Sequence, residues 1–291
     1  MLRSLFSGVS GMKNNQIKMD VIGNNISNVS TTAFKAGRVR FQDIFSQSLK
    51  NAQGPITGGQ GGTNPRQVGL GSQVAGIDTI TTAGSLQPTG RPLDCAVQGE
   101  GYFIASKDGT ATNKVYTRDG SFSLDSNFNI VNSDGYKIMG YLPTAYATGA
   151  ATYNTILQPL NIPNTEPIPS GTALINNFSI GTDGVIKGVY SNGDIVELGK
   201  IGLATFPNPA GLSKLGGNNY SASNNSGPAE EKIAAGGSGK GDVIQSTLEM
   251  SNVDLASEFT DMIITSRAFA ANSKTITTSD EMLQGLIALI R

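Results

Sequence analysis

The stretch LEMSNVDLASEFTDMIITSRAFAANSKTITTSDEMLQGLIALI, residues 248–290, places an apolar side chain at every seventh position. Leu248, Leu255, Met262, Phe269, Ile276, Leu283 and Ile290 form this ladder; Phe259 and Ile287 strengthen a second position that Ser266, Ser273 and Asp280 dilute. A sustained repeat of seven marks a helical seam that requires a partner. The other end of the chain has a shorter version in Leu5, Met12, Met19 and Ile26, flanked by Leu2 and Val9 and continued poorly by Gln16 and Gly23. Either segment alone also fits an amphipathic helix lying on a globular core. Together, at opposite ends of a β-patterned chain, they predict a paired helical domain, a coiled coil, over 1–30 plus 245–291.

By propensity these helices are weak. Gly8, Gly11 and Gly23 each cost about 1 kcal/mol relative to Ala, and the C-terminal segment is rich in Ser and Thr. Full burial of seven ladder side chains gives roughly 10–20 kcal/mol. Ordering the residues that carry them costs more, at about 1.5 kcal/mol each. The arithmetic predicts termini that are disordered in a monomer and helical in an assembly.

Between the ends the chain is β-patterned, so the expected fold class is α+β with an all-β middle domain over 72–142 plus 176–244. Leu93, Cys95 and Val97 alternate with Asp94, Ala96 and Gln98, and Tyr102, Phe103 and Ile104 make a short apolar run. Asp-Gly pairs at 108–109, 119–120, 134–135 and 183–184, with Asn-Gly at 192–193, are hairpin signals. Residues 31–71, Gly-rich from 51 onward, are expected to form an extended linker or arm. Residues 143–175, which hold five prolines, are expected to be a short insertion.

Composition excludes several chemistries. The 291 residues include no His, no Trp and one Cys. That rules out His-based triads, HExxH zinc sites, CxxC pairs and an intrachain disulfide. Charged residues are 15%, with 21 basic against 22 acidic, so a nucleic-acid partner is not expected. No run approaches the roughly 18 apolar residues of a membrane span, and no cleaved signal peptide is read at the N-terminus. Gly236–Gly241 lacks both the first Gly and the hydroxyl residue of a phosphate loop. Asp125–Asn129 starts like a calcium loop, but Ile130 and Tyr136 stand where Gly and Glu belong. Cys95 is expected to be a buried structural thiol, with an intermolecular cross-link as the alternative. No catalytic, cofactor or metal site is assigned.

One segment resists a bland reading. Asn24-Asn25-Ile26-Ser27-Asn28-Val29-Ser30-Thr31-Thr32-Ala33-Phe34-Lys35 is compositionally a helix end and a polar turn, but that does not explain its order. With Ser7-Gly8-Val9-Ser10-Gly11-Met12 it resembles the N-terminal motifs of bacterial flagellar hook and rod axial proteins, with Ala33 where that family usually has Gly. The middle is similar too, at Leu93–Phe103 and Tyr116–Phe122. So is the end, at Ser251–Leu255, Arg267–Phe269 and Asp280–Leu283. Within the family, Asn64–Gly71, Ser85–Asp94 and Gly135–Tyr141 are most similar to short hook proteins of Gram-positive bacteria; a distal rod subunit is the alternative.

The resemblance implies a structural subunit rather than an enzyme. It implies export through the flagellum's own type III apparatus, helical self-polymerisation into a hollow tube, and neighbours in the rod, the hook cap and the hook–filament junction. It makes the two ladders the assembly interface, Asn24, Asn25, Asn28, Phe34 and Lys35 the family motif, and 143–175 a vestigial outer domain. A reading from another class is a secreted β-domain that binds a glycan, with the ladders as ordinary core helices. The 51–71 arm is expected to bridge neighbouring subunits.

Overall fold

The structure is a computed structural model and describes residues 2–55, 58–59, 61–144, 146, 152–163, 175–233 and 241–290. It is α+β, with one helix at each end and strands between. Contacts divide the chain into a helical unit, Met1–Val29, Ala36–Ile80 and Val253–Arg291, and a β unit, Ser30–Lys35 and Thr81–Asn252.

In the helical unit, α1 (Leu2–Ser27) and α2 (Leu255–Ile290) run antiparallel. Ser4 Oγ meets Ser279 Oγ at 3.2 Å, and Lys18 Nζ meets Asp261 Oδ1 at 3.4 Å. At Gly8 and Gly11, costly by propensity, α2 comes close. A Cβ on Gly8 would stand 3.0 Å from Ile276 Cγ1, and one on Gly11 would stand 2.6 Å from Asn272 Nδ2. Asp254 caps α2: its Oδ1 accepts from Ala256 N–H at 3.0 Å and its carbonyl accepts from Glu258 N–H, satisfying donors the first turn leaves open.

Four strands complete this unit: β1 (Gly37–Asp43), β2 (Ser46–Lys50), β3 (Arg66–Gly69) and β4 (Ser72–Thr79). β1 pairs with β4 and β2 with β3, all antiparallel, and an isolated bridge joins Gln53 to Thr63. Of the linker or arm expected over 31–71, β2 and β3 form a hairpin arm, 37–43 pairs with 72–79, and 31–35 falls in the β unit; 72–79 belongs with the helices rather than the middle domain. β2 and β3 are exposed along their whole length. With no buried face, their sequence carries no apolar alternation to reveal them.

The helical boundary expected at 245 is also corrected. Asp242–Gln245 pairs with Cys95–Gln98, and Thr247–Glu249 pairs with Leu86–Pro88. Leu248 therefore lies in a strand of the β unit, and the chain enters α2 only after Asp254.

The β unit is built on a 12-stranded sheet. Its main path runs Ile175–Ile180, Val185–Tyr190, Ile195–Thr205, Lys137–Pro143, Tyr102–Ser106, Lys114–Thr117, Asn219–Ser221 and Ser213–Gly216. The central strands bury both faces. Phe103, Ala105, Ile138, Ile201 and Leu203 point into one core, and Tyr102, Ile104, Met139, Tyr141 and Ala204 into the other. Alternation of side chains across a pleat divides one apolar run between two cores. Tyr153–Pro159 pairs with Lys137–Pro143, so part of the 143–175 insertion is strand; its 145, 147–151 and 164–174 positions lie outside the described residues, as do 236–240 of the glycine-rich loop.

Four of the five Gly turn signals join paired strands with Gly at positive φ: Gly109, Gly135, Gly184 and Gly193. Gly120 differs. Cys95 N–H bonds its carbonyl at 3.0 Å, and any Cβ there would overlap the Cys95 carbonyl oxygen. Asp125–Asn129 forms the expected polar turn, closed by Phe128 N–H to Asp125 O at 2.8 Å.

Candidate assembly surface and motif clamps

Of the ladder residues, Ile276 packs where the two helices meet, close to Gly8. Leu5, Met12, Met19 and Ile26 on α1, and Met262, Phe269, Ile276 and Leu283 on α2, are half-buried; Leu255 is more exposed. Leu248 stands apart in its strand, and the side chain of Ile290 lies outside the described residues. A second apolar set, of which the heptad pattern had picked out only Val9, Phe259 and Ile287, faces solvent. It comprises Phe6 and Val9 on α1, Phe259, Ile263 and Ile264 early in α2, and Met282, Leu286 and Ile287 late in α2. Phe6 is 69% exposed, Ile263 63% and Ile287 66%. Seam contacts leave this outer set without cover. The sequence signal was present: α2 carries more large apolar residues than a single seam can hold.

The motif residues form clamps rather than a reactive site. Asn28 N–H and its side-chain amide both bond Asn24 O, at 3.2 and 2.8 Å, and Ser27 Oγ donates to the same carbonyl. Those bonds occupy a carbonyl that the last turn of α1 would leave open. Asn25 is buried. Its Oδ1 accepts from Gly37 N–H, and its Nδ2 donates to Gly37 O and to Glu258 Oε1, all at 2.9 Å. One side chain thereby ties the end of α1 to the start of β1 and to the first turn of α2. Burial pushes the Glu258 carboxyl up and Asp261 adds to the rise, while the Asn25 hydrogen bond works against it.

Removing Asn25 leaves two backbone groups of Gly37 without their partner, at about 1–3 kcal/mol for each buried group. Asn25→Ala is expected to weaken the helical unit by about 2–4 kcal/mol. Lower thermal resistance of assembled polymer, with an unchanged β unit, checks this.

In the β unit, Lys35 is 1% exposed and donates from Nζ to Glu249 Oε1 at 2.6 Å and to Thr82 O at 2.9 Å. Arg118 Nε donates to Glu249 Oε2 at 2.8 Å, and its Nη2 donates to Val97 O and Gly99 O. Gly84 N–H completes the set at 2.9 Å on Glu249 Oε1. Burial pushes Lys35 below the usual lysine range, with Glu249 opposing it. Burial alone would raise Glu249, but Arg118 and Lys35 together hold it below the usual carboxylate range. Phe34 lies beneath Lys214 Nζ, 5.3 Å from the ring centroid, a cation–π contact. Ala33, at the motif's usual Gly, adopts φ +55° and donates to Glu249 O at 2.8 Å.

Arg118 and Glu249 were not among the expected site residues. Arg118 lies in the quoted stretch Tyr116–Phe122, but nothing in the sequence marks its partner. Cys95 is fully buried, and burial with Asp94 beside it raises its thiol to about 12, far from a reactive thiolate. Among the described residues no cluster of three or more Cys, Asp or Glu side chains forms a metal site, and no helix is long and apolar enough to cross a membrane.

Three families match successive parts of the chain. Residues 5–35 match "Flagella basal body rod protein", 96–188 match "Flagellar hook protein FlgE/F/G D1 domain", and 244–289 match "Flagellar basal body rod FlgEFG protein C-terminal". The chain is 46% identical to the flagellar basal-body rod protein FlgG of Bacillus subtilis, with all of both chains covered. It is 34% identical to the flagellar hook protein FlgE of Borreliella burgdorferi, over 99% of this chain and 100% of that one. Identity to FlgG of the same organism is 37%, over 97% of each.

Proposed function

The chain belongs to the flagellar hook and rod axial family, a family of structural proteins, and from that premise we propose that it is the hook subunit, polymerising into a curved hollow tube that carries torque. One observation carries the polymer reading. An antiparallel helix pair already closed along its seam still exposes Phe6, Phe259, Ile263, Met282 and Ile287, and exposed apolar area of this kind marks an interaction surface. Copies stacked through a non-closing heterologous contact form a tube. The helices then make a coiled-coil inner layer and the β unit an outer one. Many Ser, Thr, Asn and Gly with few charges favour weak outer contacts that can exchange as the tube bends. We further propose type III export, and the rod, hook cap and junction proteins as neighbours.

The hook reading rests on Asn64–Gly71, Ser85–Asp94 and Gly135–Tyr141. A distal rod subunit is the second reading, favoured by the end-to-end identity with a protein named FlgG. Electron microscopy of a deletion strain separates them. An intact rod lacking its hook is expected; a truncated rod would replace the hook reading with the rod one.

Limited proteolysis of dilute monomer tests the assembly mechanism. The termini and arm should be cut early, leaving a core near 81–252. Protected helices in a chain that never forms fibres would instead favour a monomeric binding module.

A further inference from the structure

We propose that Phe45 of one copy seats in the pocket between Ala83, Tyr102, Phe206 and Pro209 of a second copy, making the hairpin arm a heterologous link between subunits. The proposal deepens the polymer reading and rests on it.

The knob is unusual. Phe45, between β1 and β2, is 88% exposed, and Leu49 beside it on the arm is 60% exposed. Neither contributes to a core of its own chain. The hole is a cavity of about 350 Å³ in the β unit, lined by the buried Tyr102 and Phe206, by residues 81–83 and 99–101, and by Arg118, Thr205 and Pro209. It is large enough for a phenyl ring, and its lining is mostly apolar. Edge-to-face packing already joins Tyr102 to Phe206 and to Tyr220, and Phe206 to Tyr116, and a further ring extends such a cluster favourably.

Charge identifies a second copy as the occupant. From Ile44 to Ile77 there is no acidic residue, and Lys50 and Arg66 stand directly opposite each other on the β2–β3 ladder, both exposed. Like charges across a ladder repel, so an acidic surface beyond the arm relieves them. At the pocket, Glu100 is exposed, while the other charged residue of the lining, Arg118, is 4% exposed and held by Glu249. A knob and a different hole on the same chain cannot close on themselves in a pair, so they propagate head to tail.

The test uses full-length chain carrying Ser46→Cys, next to the intact Phe45 ring, and Ala83→Cys together, treated with a short bis-maleimide. Wild type, whose Cys95 is buried, serves as the control. Polymer should yield a ladder of covalent multimers, and dilute monomer none. Polymer that forms normally without the ladder overturns the docking and leaves the filament reading standing. Wild type that never polymerises overturns both. An intrachain link in dilute monomer, or Ser46→Cys chains linking to one another, also overturns the docking. Independently, Phe45→Ser should raise the critical concentration about tenfold or more, the effect of losing one buried aromatic side chain, with an unchanged far-UV spectrum. An unchanged critical concentration rejects the contact.

Discussion

Glu249→Ala is expected to destabilise the β unit by about 3–5 kcal/mol, the cost of leaving buried charge without its partner. Here two cations lose one anion: Lys35 is 1% exposed and Arg118 4%, and both end on the Glu249 carboxylate. Total stabilities run at about 5–15 kcal/mol, so the loss should move a denaturation midpoint far. Glu249→Gln keeps the shape and should still be strongly destabilising, because the missing element is charge. Replacing Lys35 and Arg118 by Met together with Glu249→Leu should recover much of the loss, since a buried ionic set exchanged whole for apolar side chains is often neutral. Urea denaturation followed by far-UV circular dichroism measures all three. A Glu249→Ala midpoint within error of wild type would refute the clamp.

The same carboxylate sets an acid limit. Its folded pKa is held below the ordinary value of 4.5. It therefore adds stability above the unfolded pKa, and that stability is lost as pH falls through the folded value. The acid transition of wild type should lie below pH 4.5, and Glu249→Gln should flatten it.

How much of this was legible in the sequence depends on what each residue faces. The β unit announced itself because its central strands bury side chains on both faces, producing the run Tyr102-Phe103-Ile104 and the Gly turns at 109, 135, 184 and 193. The arm did not, because β2 and β3 bury nothing and their composition follows the turns around them. Leu248 fell on the heptad by spacing alone; Asp254 at the head of α2 was the truer boundary mark. Gly8 and Gly11 appeared as weaknesses when considered one helix at a time. Their meaning lies in Ile276 and Asn272, more than 250 residues away. Glu249 is a single acidic residue between apolar neighbours, and nothing local shows that Lys35 and Arg118 converge on it.

Ile263→Asp with Ile287→Asp should abolish polymerisation while leaving the β unit intact. The heptad ladder alone would choose Met262 or Leu255, but Met262 does different work. Met262 is half-buried in the seam, so a charge there breaks the helix pair before any copy is met. Ile263 and Ile287 are 63% and 66% exposed and outside the seam ladder. Losing the burial of each on assembly costs about 1.5–3 kcal/mol, roughly ten- to a hundredfold per residue in association. Placing a carboxylate in a dry contact adds a desolvation cost. Two sites together should move the critical concentration a thousandfold or more. Ile263→Ser with Ile287→Ser, which removes the same side chains and adds no charge, separates the loss of apolar contact from the addition of charge. It should still raise the critical concentration about a hundredfold. Sedimentation of polymer across a concentration series reads all of these. If the double variant polymerises at the wild-type concentration, the outer face is not the contact, and the helices associate through the seam residues by opening the intramolecular pair.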